Sequence, residues 1–349
     1  MTVRVLCDAI HADLWESLRL LLEVRFGWEL YRPIGMEWYE QGIWNFERDR
    51  LGDQVARQFL QVWIGKDEPT IYGYSVRPDD THPDYLIKLV TMEQAADLKP
   101  DLVIATLAEN EHGLWQWAKA HGAHYGIQVG NQGAPNLWPI AEFGLLSVTT
   151  PGFTPWKPYV TYHQEFDIER AFAADGGVFG MSSNEVQTRV QCAAGAEGYG
   201  LFRAAAAEVP EAKFRWYGHC GDPDEFCGGN AMTTDQVATG MRGARIAWHW
   251  KRWSDGYGHV IHNWAAIGRP MLVTQDYYRD KLAAPLFTPE TSFNLERMTV
   301  SEIAENVRRL LQDDDLYTRM CLSAATRFRE VVNFEAEAEQ IRTMLEGIL

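Results

Sequence analysis

The chain has few cysteines, and their placement argues against a disulfide framework. There are five in 349 residues, which is an odd number. They are widely scattered, at Cys7, Cys192, Cys220, Cys227 and Cys321. Secreted disulfide-rich domains carry evenly paired and closely spaced cysteines, so this usage favours the reducing cytoplasm.

A long hydrophobic run is also missing. No stretch approaches the ~20 consecutive apolar residues that a membrane helix needs. The amino-terminal segment MTVRVLCDAIHADLW carries Asp8 and Asp13, where a signal peptide would be apolar throughout. We therefore expect a cytoplasmic location and no membrane partner.

Basic residues are outnumbered by acidic ones, 32 to 48, which gives a net charge of −16. Proteins that coat nucleic acid through its phosphates are usually basic, so this balance disfavours nonspecific nucleic-acid binding. The window 241–285 is nevertheless net positive. Its basic residues are Arg242, Arg245, Lys251, Arg252, Arg269, Arg279 and Lys281. Both a local basic groove and an ordinary solvated face are compatible with this cluster.

Short apolar runs alternate with helical segments in both halves, which is the pattern of parallel sheets covered by helices. The length suits two domains, and the polar, glycine-rich segment 166–176 predicts the boundary between them. Predicted strands are 3–10, 101–107, 123–130, 143–150, 159–166, 176–181, 213–218 and 245–250. Predicted helices are 12–26, 110–122, 185–209, 233–244, 299–312, 315–332 and 334–348.

The segment WSDGYGHVIHNWAAIGRPMLVT, residues 253–274, concentrates glycines and polar groups just before an apolar run. Gly256 and Gly258 allow a sharp turn, and a helix is predicted from near His259 to near Gly268. The free N–H groups at the start of such a helix, together with its dipole, form an anion-binding site. The segment therefore predicts a strand–turn–helix site for phosphate.

Two faces are predicted for this helix. Val260, Trp264 and Ile267 form an apolar stripe that should pack on the sheet. His259, His262 and Asn263 share another face, which we expect to be open to a ligand such as a ribose hydroxyl.

Two other interpretations of the segment are a zinc site and a capped helix without a ligand. His259 and His262 have the spacing of zinc ligands, but no third ligand accompanies them at an obvious spacing, so we expect no metal. The six residues between Cys220 and Cys227 exceed the usual spacing of paired zinc ligands. A capped helix whose polar groups are satisfied internally stays open as an interpretation.

The sequence DGYGHVIHNWAAIGRPMLVT resembles the carboxyl-terminal donor motif of GT-B glycosyltransferases. It is similar to the form of that motif in glycosyltransferase family 4. In that motif, Asp255 takes the first acidic position and Tyr257 the position of phenylalanine, and Gly268 and Pro270 match the closing pair. Asn263 stands where the family has the glutamate that holds the donor ribose. The family's phosphate-binding Arg and Lys pair is not obvious, and Ser182, Ser183, Arg189 or Lys251 are the alternatives for its role.

The resemblance implies an α/β protein of the GT-B fold, with two Rossmann-like doubly wound domains facing across a cleft. The acceptor-side domain would be 1–168 and the nucleotide-sugar domain 169–332. Residues 333–349 would form a last helix that packs back on the first domain. We expect a monomer or a weak dimer that needs no metal or other cofactor.

The activity implied is transfer of a sugar from a nucleoside-diphosphate sugar, with a UDP-sugar as the expected donor, to a hydroxyl acceptor. The segment GHVIHNW is similar to glycosyltransferase-like proteins of bacteriophages, some of which modify 5-hydroxymethylpyrimidines in DNA, so DNA is one possible partner. Predicted catalytic residues are Asp255, His11 and Asp8. Predicted donor-binding residues are Lys251, Arg252, Gly256, Tyr257, Gly258, His259 and Asn263. Predicted acceptor-binding residues are Asn131, Gln132 and Trp38.

Three alternatives to this activity stay open. The acceptor could be a glycan or a small molecule. The chain could be a non-catalytic protein that binds a nucleotide or a nucleotide sugar in the same cleft. It could also be an epimerase that acts on the donor sugar alone, which would need an acid and base pair.

Overall fold

The computed structural model describes residues 2–9, 12–34, 70–73, 86–106, 113–130, 138–147, 157–189, 192, 196–218, 224–229, 234–252 and 255–349. The chain divides into two compact units. Unit 1 comprises Met1–Phe166 and Phe334–Leu349, and unit 2 is Asp167–Asn333.

Unit 1 is built on a sheet with the strand order β3-β4-β2-β1-β5-β6-β7-β8 in the described residues. Neighbouring strands are parallel except for β3 and β4, which pair antiparallel at the edge. The strands are β1 Arg4–Cys7, β2 Glu29–Ile34, β3 Thr70–Gly73, β4 Leu86–Thr91, β5 Leu102–Ala105, β6 His124–Val129, β7 Phe143–Leu146 and β8 Tyr159–Thr161. The residues of β5 and β7 are buried throughout, as expected for central strands covered on both faces.

Helices of unit 1 cover both faces of this sheet. They are α1 Ala12–Arg19, which continues as a π-helical segment Leu20–Arg25, α2 Met92–Leu98, α3 Leu114–His121 and α11 Phe334–Glu346. One core contains α1 and α11 residues, and the other contains residues of α2 and α3. The predicted end of α3 at Gly122 is confirmed, because Gly122 has the left-handed conformation that ends a helix.

The last helix, α11, belongs to unit 1 although it follows unit 2 in the chain. Ala338, Ile341 and Leu345 join the core that also contains Tyr162. At the start of the helix, Glu337 accepts hydrogen bonds at 2.7 Å from the backbone N–H of His163 and from its ring Nδ1. These contacts hold α11 against the end of β8.

Unit 2 is built on a parallel sheet with the order β10-β9-β11-β12-β13 in the described residues. Its strands are β9 Glu185–Arg189, β10 Lys213–Tyr217, β11 Ile246–His249, β12 Met271–Val273 and β13 Ser292–Asn294. Its helices are α4 Val178–Met181, α5 Ala196–Glu208, α6 Thr234–Gly243, α7 His259–Ile267, α8 Gln275–Tyr278, α9 Val300–Gln312 and α10 Asp314–Val331. An aromatic and aliphatic core joins one face of the sheet to α5 and α9.

Two predictions at the start of unit 2 are wrong. Residues 178–181 form the short helix α4, whereas we predicted a strand over 176–181. Glu185–Arg189 forms the interior strand β9, whereas we predicted a helix over 185–209. The described helix begins at Ala196, and the alanine-rich segment concealed a short strand in which Val186, Gln187 and Thr188 are all buried.

No helix in the described residues is long and apolar enough to cross a membrane.

Candidate functional site

The turn between β11 and α7 is held by a single carboxylate. Asp255 Oδ1 accepts a hydrogen bond from the backbone N–H of Gly258 at 2.8 Å. The Tyr277 hydroxyl donates to the backbone carbonyl of Asp255 at 2.9 Å. Gly258 lies at φ +79° and ψ +48°, a left-handed conformation that favours glycine. The predicted sharp turn is therefore confirmed at Gly258, with its backbone fixed before the helix begins.

Helix α7 has the predicted limits, since it runs from His259 to Ile267 and ends at Gly268 with φ +80°. Its first N–H groups carry the positive end of the helix dipole, and the Gly258 N–H is already used by Asp255. The start of α7 therefore has the geometry and the dipole that the predicted phosphate site requires, and the site itself stays a prediction.

The two predicted faces of α7 need correction. His262 is fully buried, its Nδ1 lies 2.9 Å from the carbonyl oxygen of Gly258, and its ring stacks on Tyr257 with 4.2 Å between ring centroids. It therefore does not lie on an open face. Val260, which we assigned to the buried stripe, is half-buried. Residues 261–267 of α7 are all buried, and the packing of α10 against α7 explains why His262 is interior although it lies off the predicted apolar stripe.

Asn263 lies on α7 with 5% of its surface exposed. Its Oδ1 atom is buried and has no hydrogen-bond partner among the residues that the structure describes. A buried amide oxygen without a partner costs about 1–3 kcal/mol, so such atoms often mark the place of a ligand group or a water molecule. This is the position at which the GT-B motif has its ribose-binding glutamate.

Two cations flank the turn. Lys251 Nζ lies 3.5 Å from Asp255 Oδ2, and 23% of its side chain is exposed. Arg252 is more exposed and lies between two carboxylates, 3.2 Å from Glu197 and 3.4 Å from Glu296. Lys251 is thus the cation that contacts the anchored turn, whereas Arg252 forms ion pairs with Glu197 and Glu296.

Asp255 is engaged through both carboxylate oxygens. Its Oδ2 accepts a hydrogen bond from the Tyr278 hydroxyl at 2.9 Å. Burial alone would raise the pKa of Asp255, but the nearby His249, the charge of Lys251 and the hydrogen bond from Tyr278 outweigh it and hold the pKa well below the usual value. The group is therefore an anion that anchors the turn. Its predicted contact with the donor sugar stays a prediction.

The basic window 241–285 does not form one groove. Arg269 is fully buried and pairs with Asp175 at 2.6 Å, and Arg245 is 1% exposed and pairs with Asp314 at 2.6 Å. These two arginines fasten α6 and α7 to neighbouring segments, because they also donate to backbone carbonyls. They are not available to a phosphate.

A cavity of about 270 Å³ lies in unit 2. Its lining includes Gln187 and Arg189 of β9, Tyr217 of β10 and Gln236 of α6. Gln187 is 5% exposed, and within the described part of the chain its Oε1 finds no hydrogen-bond partner. Sequence reasoning missed Gln187 because β9 was predicted as helix, although it did name Arg189 as a possible phosphate ligand.

In unit 1, Asp8 follows β1 at the carboxyl edge of the sheet and is fully buried. Its Oδ1 accepts a hydrogen bond from the backbone N–H of Thr106 at 2.6 Å, while its Oδ2 has no partner among the described residues. Burial raises the pKa of Asp8 to about 7, against the opposing effects of Thr106 hydrogen bonds and of Arg32. A carboxyl group of this kind can exchange a proton near neutral pH.

The structure covers only part of the predicted site. Gly256 and Tyr257 are buried in the turn, and His259 is half-buried at the start of α7. His11, Trp38, Asn131 and Gln132 lie outside the described residues. Across the described ranges, no group of three or more His, Cys, Asp or Glu side chains could hold a metal ion.

The two parallel-sheet units define an α/β protein with the GT-B fold. The chain is similar in structure to HepE of Anabaena in complex with UDP and glucose, with a TM-score of 0.65, 10% identity, and coverage of 99% of this chain and 100% of that one. It is also similar to sucrose-phosphate synthase of Thermosynechococcus elongatus, with a TM-score of 0.64, 12% identity and 99% of each chain covered. A glycosyltransferase of Rickettsia africae gives a TM-score of 0.61 at 8% identity, covering 99% of this chain and 98% of that one.

No family model matches the sequence, and no curated protein matches it either. At these identities, the structural similarity establishes the fold. The chemistry has to be argued from the side chains.

Proposed function

We propose that the protein is a glycosyltransferase that moves a sugar from a nucleoside-diphosphate sugar, with UDP as the nucleotide, to a hydroxyl group of an acceptor. The observation that carries the proposal is the buried Asn263 Oδ1, which has no partner among the described residues and lies one helical turn beyond the anchored start of α7. The fold adds support, because HepE has the same fold over its whole length and was crystallised with UDP and with UDP-glucose.

The donor would lie against unit 2. Its diphosphate would lie at the amino-terminal end of α7, where the helix dipole is positive, with Lys251 supplying a positive charge. The ribose hydroxyls would donate to Asn263 Oδ1, and the uracil ring would occupy the cavity beside Gln187 and Arg189. As the bond from the anomeric carbon to the diphosphate breaks, negative charge grows on the leaving oxygen. Fixed dipoles and a cation at that oxygen stabilise the transition state.

Asp8 is the proposed base for the acceptor. Its Oδ2, which is not hydrogen-bonded within the described residues, would take the proton of the acceptor hydroxyl. A base of this kind is needed if the transfer inverts the anomeric carbon, in which case the acceptor oxygen displaces the nucleoside diphosphate directly. The raised pKa of Asp8, about 7, suits a group that accepts a proton at neutral pH.

The acceptor is proposed more coarsely. Hydroxymethylpyrimidine DNA stays one candidate. However, the protein has a net charge of −16 and buries Arg245 and Arg269, so its described residues offer little surface that could bind DNA phosphates. A glycan or a small molecule carrying a hydroxyl group would need no such surface.

The first experiment measures thermal stabilisation by UDP, GDP, ADP and dTDP. We expect UDP to stabilise the protein most, since a ligand that binds only the folded state raises its melting temperature. If none of the four nucleotides raises the melting temperature, the proposed donor site is contradicted.

The second experiment follows labelled sugar from UDP-sugars into a panel of acceptors that includes hydroxymethylcytosine DNA, hydroxymethyluracil DNA, oligosaccharides and simple alcohols. Transfer to any of them supports the enzyme. UDP binding without transfer or slow donor hydrolysis would favour a non-catalytic binding protein, and conversion of the donor sugar without an acceptor would favour an epimerase.

A further inference from the structure

His249, which was not among the predicted site residues, lies next to the turn between β11 and α7. His249 ends β11, and only 1% of its surface is exposed. Its Nε2 lies 2.9 Å from the Tyr278 hydroxyl and 3.8 Å from Asp255 Oδ2. The strand order brings these three groups together, although His249 and Tyr278 are 29 residues apart in the chain.

The hydrogen bonds fix the protonation of His249 Nε2. The Tyr278 hydroxyl has one proton, and it donates that proton to Asp255 Oδ2 at 2.9 Å. Towards His249 the same hydroxyl can therefore only accept, so Nε2 must carry a hydrogen. A relay results, from His249 through Tyr278 to Asp255.

The charges around His249 favour its protonated form. Burial lowers the pKa of His249, but interactions with Cys192 and with Asp255 outweigh burial and raise it to about 9. The groups that face the ring are Cys192, Asp255 and Tyr278, and Lys251 reaches the same Asp255 oxygen at 3.5 Å. Below that pKa, Asp255 has two cationic groups beside it, His249 and Lys251.

The two cations differ in mobility. Lys251 has a long side chain that is 23% exposed, whereas His249 is enclosed and hydrogen-bonded. If Lys251 were the only counter-charge, its movement to a phosphate would leave Asp255 as an unpaired buried anion next to a diphosphate, which is strongly unfavourable. A second cation that stays in place removes this penalty.

We propose that His249 is a positioning residue that neutralises Asp255 from inside the domain and thereby releases Lys251 to bind the diphosphate of the donor. The inference rests on the proposed function, because it assumes a diphosphate at the start of α7. It makes His249 an indirect determinant of nucleotide affinity that acts through Lys251.

The test is a double-mutant cycle on UDP binding, measured by calorimetry on the full-length protein with His249→Gln, Lys251→Met and the double variant. We expect His249→Gln to weaken UDP binding about ten- to a hundredfold, the effect of losing one charge-assisted contact. In the Lys251→Met background, where no lysine is left to release, the same substitution should weaken UDP binding clearly less than it does in the wild type. Replacing Asp255 by Asn in the His249→Gln protein should restore part of the affinity, because the anion that needs neutralising is gone.

Additive effects of the two substitutions would overturn the inference and leave the proposed donor site intact. Failure of the wild type to bind UDP would remove the proposed function, and this inference with it. If His249→Gln does not fold, a pH titration of the wild type and Lys251→Met decides. UDP affinity should fall more steeply above about pH 9 in the wild type than in Lys251→Met, and an equal pH dependence in both proteins would overturn the inference.

Discussion

The substitution Gly258→Ala tests the anchored turn most directly. Gly258 has φ +79°, and a Cβ atom built there would lie 3.2 Å from both Ile261 Cδ1 and Tyr278 Cε1. Alanine would therefore meet two obstacles, an unfavourable backbone conformation and a tight fit against two side chains. Both would move the first residues of α7 away from the position that Asp255 fixes.

The expected magnitude follows from those two terms. A residue with a Cβ atom in the left-handed region costs about 1–2 kcal/mol. The two contacts at 3.2 Å require their neighbours to shift by a few tenths of an ångström, which adds strain of about 1 kcal/mol. We expect Gly258→Ala to lower the free energy of unfolding of unit 2 by about 2–3 kcal/mol.

Two other glycines of the same conformation serve as controls. Gly122 has φ +72°, and a Cβ atom at this residue would have no neighbour within 4 Å, so Gly122→Ala should show the backbone cost alone, about 1–2 kcal/mol. At Gly268, with φ +80°, the Cβ would lie 2.7 Å from the carbonyl oxygen of Cys321, so Gly268→Ala should be the most damaging. The expected order of increasing destabilisation is Gly122→Ala, Gly258→Ala, Gly268→Ala.

The assay is urea unfolding followed by circular dichroism, with the transitions of the two units fitted separately. UDP affinity is measured on the same proteins by calorimetry. Gly258→Ala should also weaken UDP binding, whereas Gly122→Ala should leave it unchanged. A Gly258→Ala protein that is as stable as Gly122→Ala and binds UDP normally would refute both the strain argument and the location of the phosphate site.

Three further predictions concern single side chains. The pKa of His249, raised from 6.5 to about 9, contributes about 3 kcal/mol of stability that is complete below about pH 6.5 and lost as the pH rises through 9. The free energy of unfolding, measured at pH 6.5 and at pH 9, should therefore fall between these two values in the wild type and not in His249→Gln. Equal losses in the two proteins would contradict this. Asn263→Leu should weaken UDP binding about tenfold while Asn263→Glu preserves it, and the affinity for 2′-deoxy-UDP should be insensitive to Asn263→Leu if the amide holds that hydroxyl. Asp8→Asn should lower kcat about 10²- to 10⁴-fold without changing UDP affinity, and an unchanged kcat would exclude Asp8 as the base.

Local signals made the limits of α7 predictable. Gly258 and Gly268 mark the two ends of α7 because each adopts a conformation that other residues avoid, and Pro270 follows the end of the helix. The alternation of apolar strands and helices likewise predicted the parallel sheets.

Signals failed where two patterns overlapped. The alanine-rich segment dominated the region 185–209, so the polar strand β9 and with it Gln187 were missed. The amphipathic interpretation of α7 failed for a different reason, since a helix covered on both sides has no solvent face, and sequence periodicity does not show what packs on the outer side.

The sequence by itself determined the α/β alternation, the sharp turn at Gly258 and the limits of α7, because each depends on residues close together in the chain. Only the tertiary structure decided what the polar groups do. Asp255 anchors the turn, His249 contacts Tyr278 and has a raised pKa, and Asn263 keeps an oxygen without a partner among the described residues. These roles depend on β11, α7 and α8 meeting at one edge of a sheet, where burial makes each charge and each hydrogen bond depend on its neighbours.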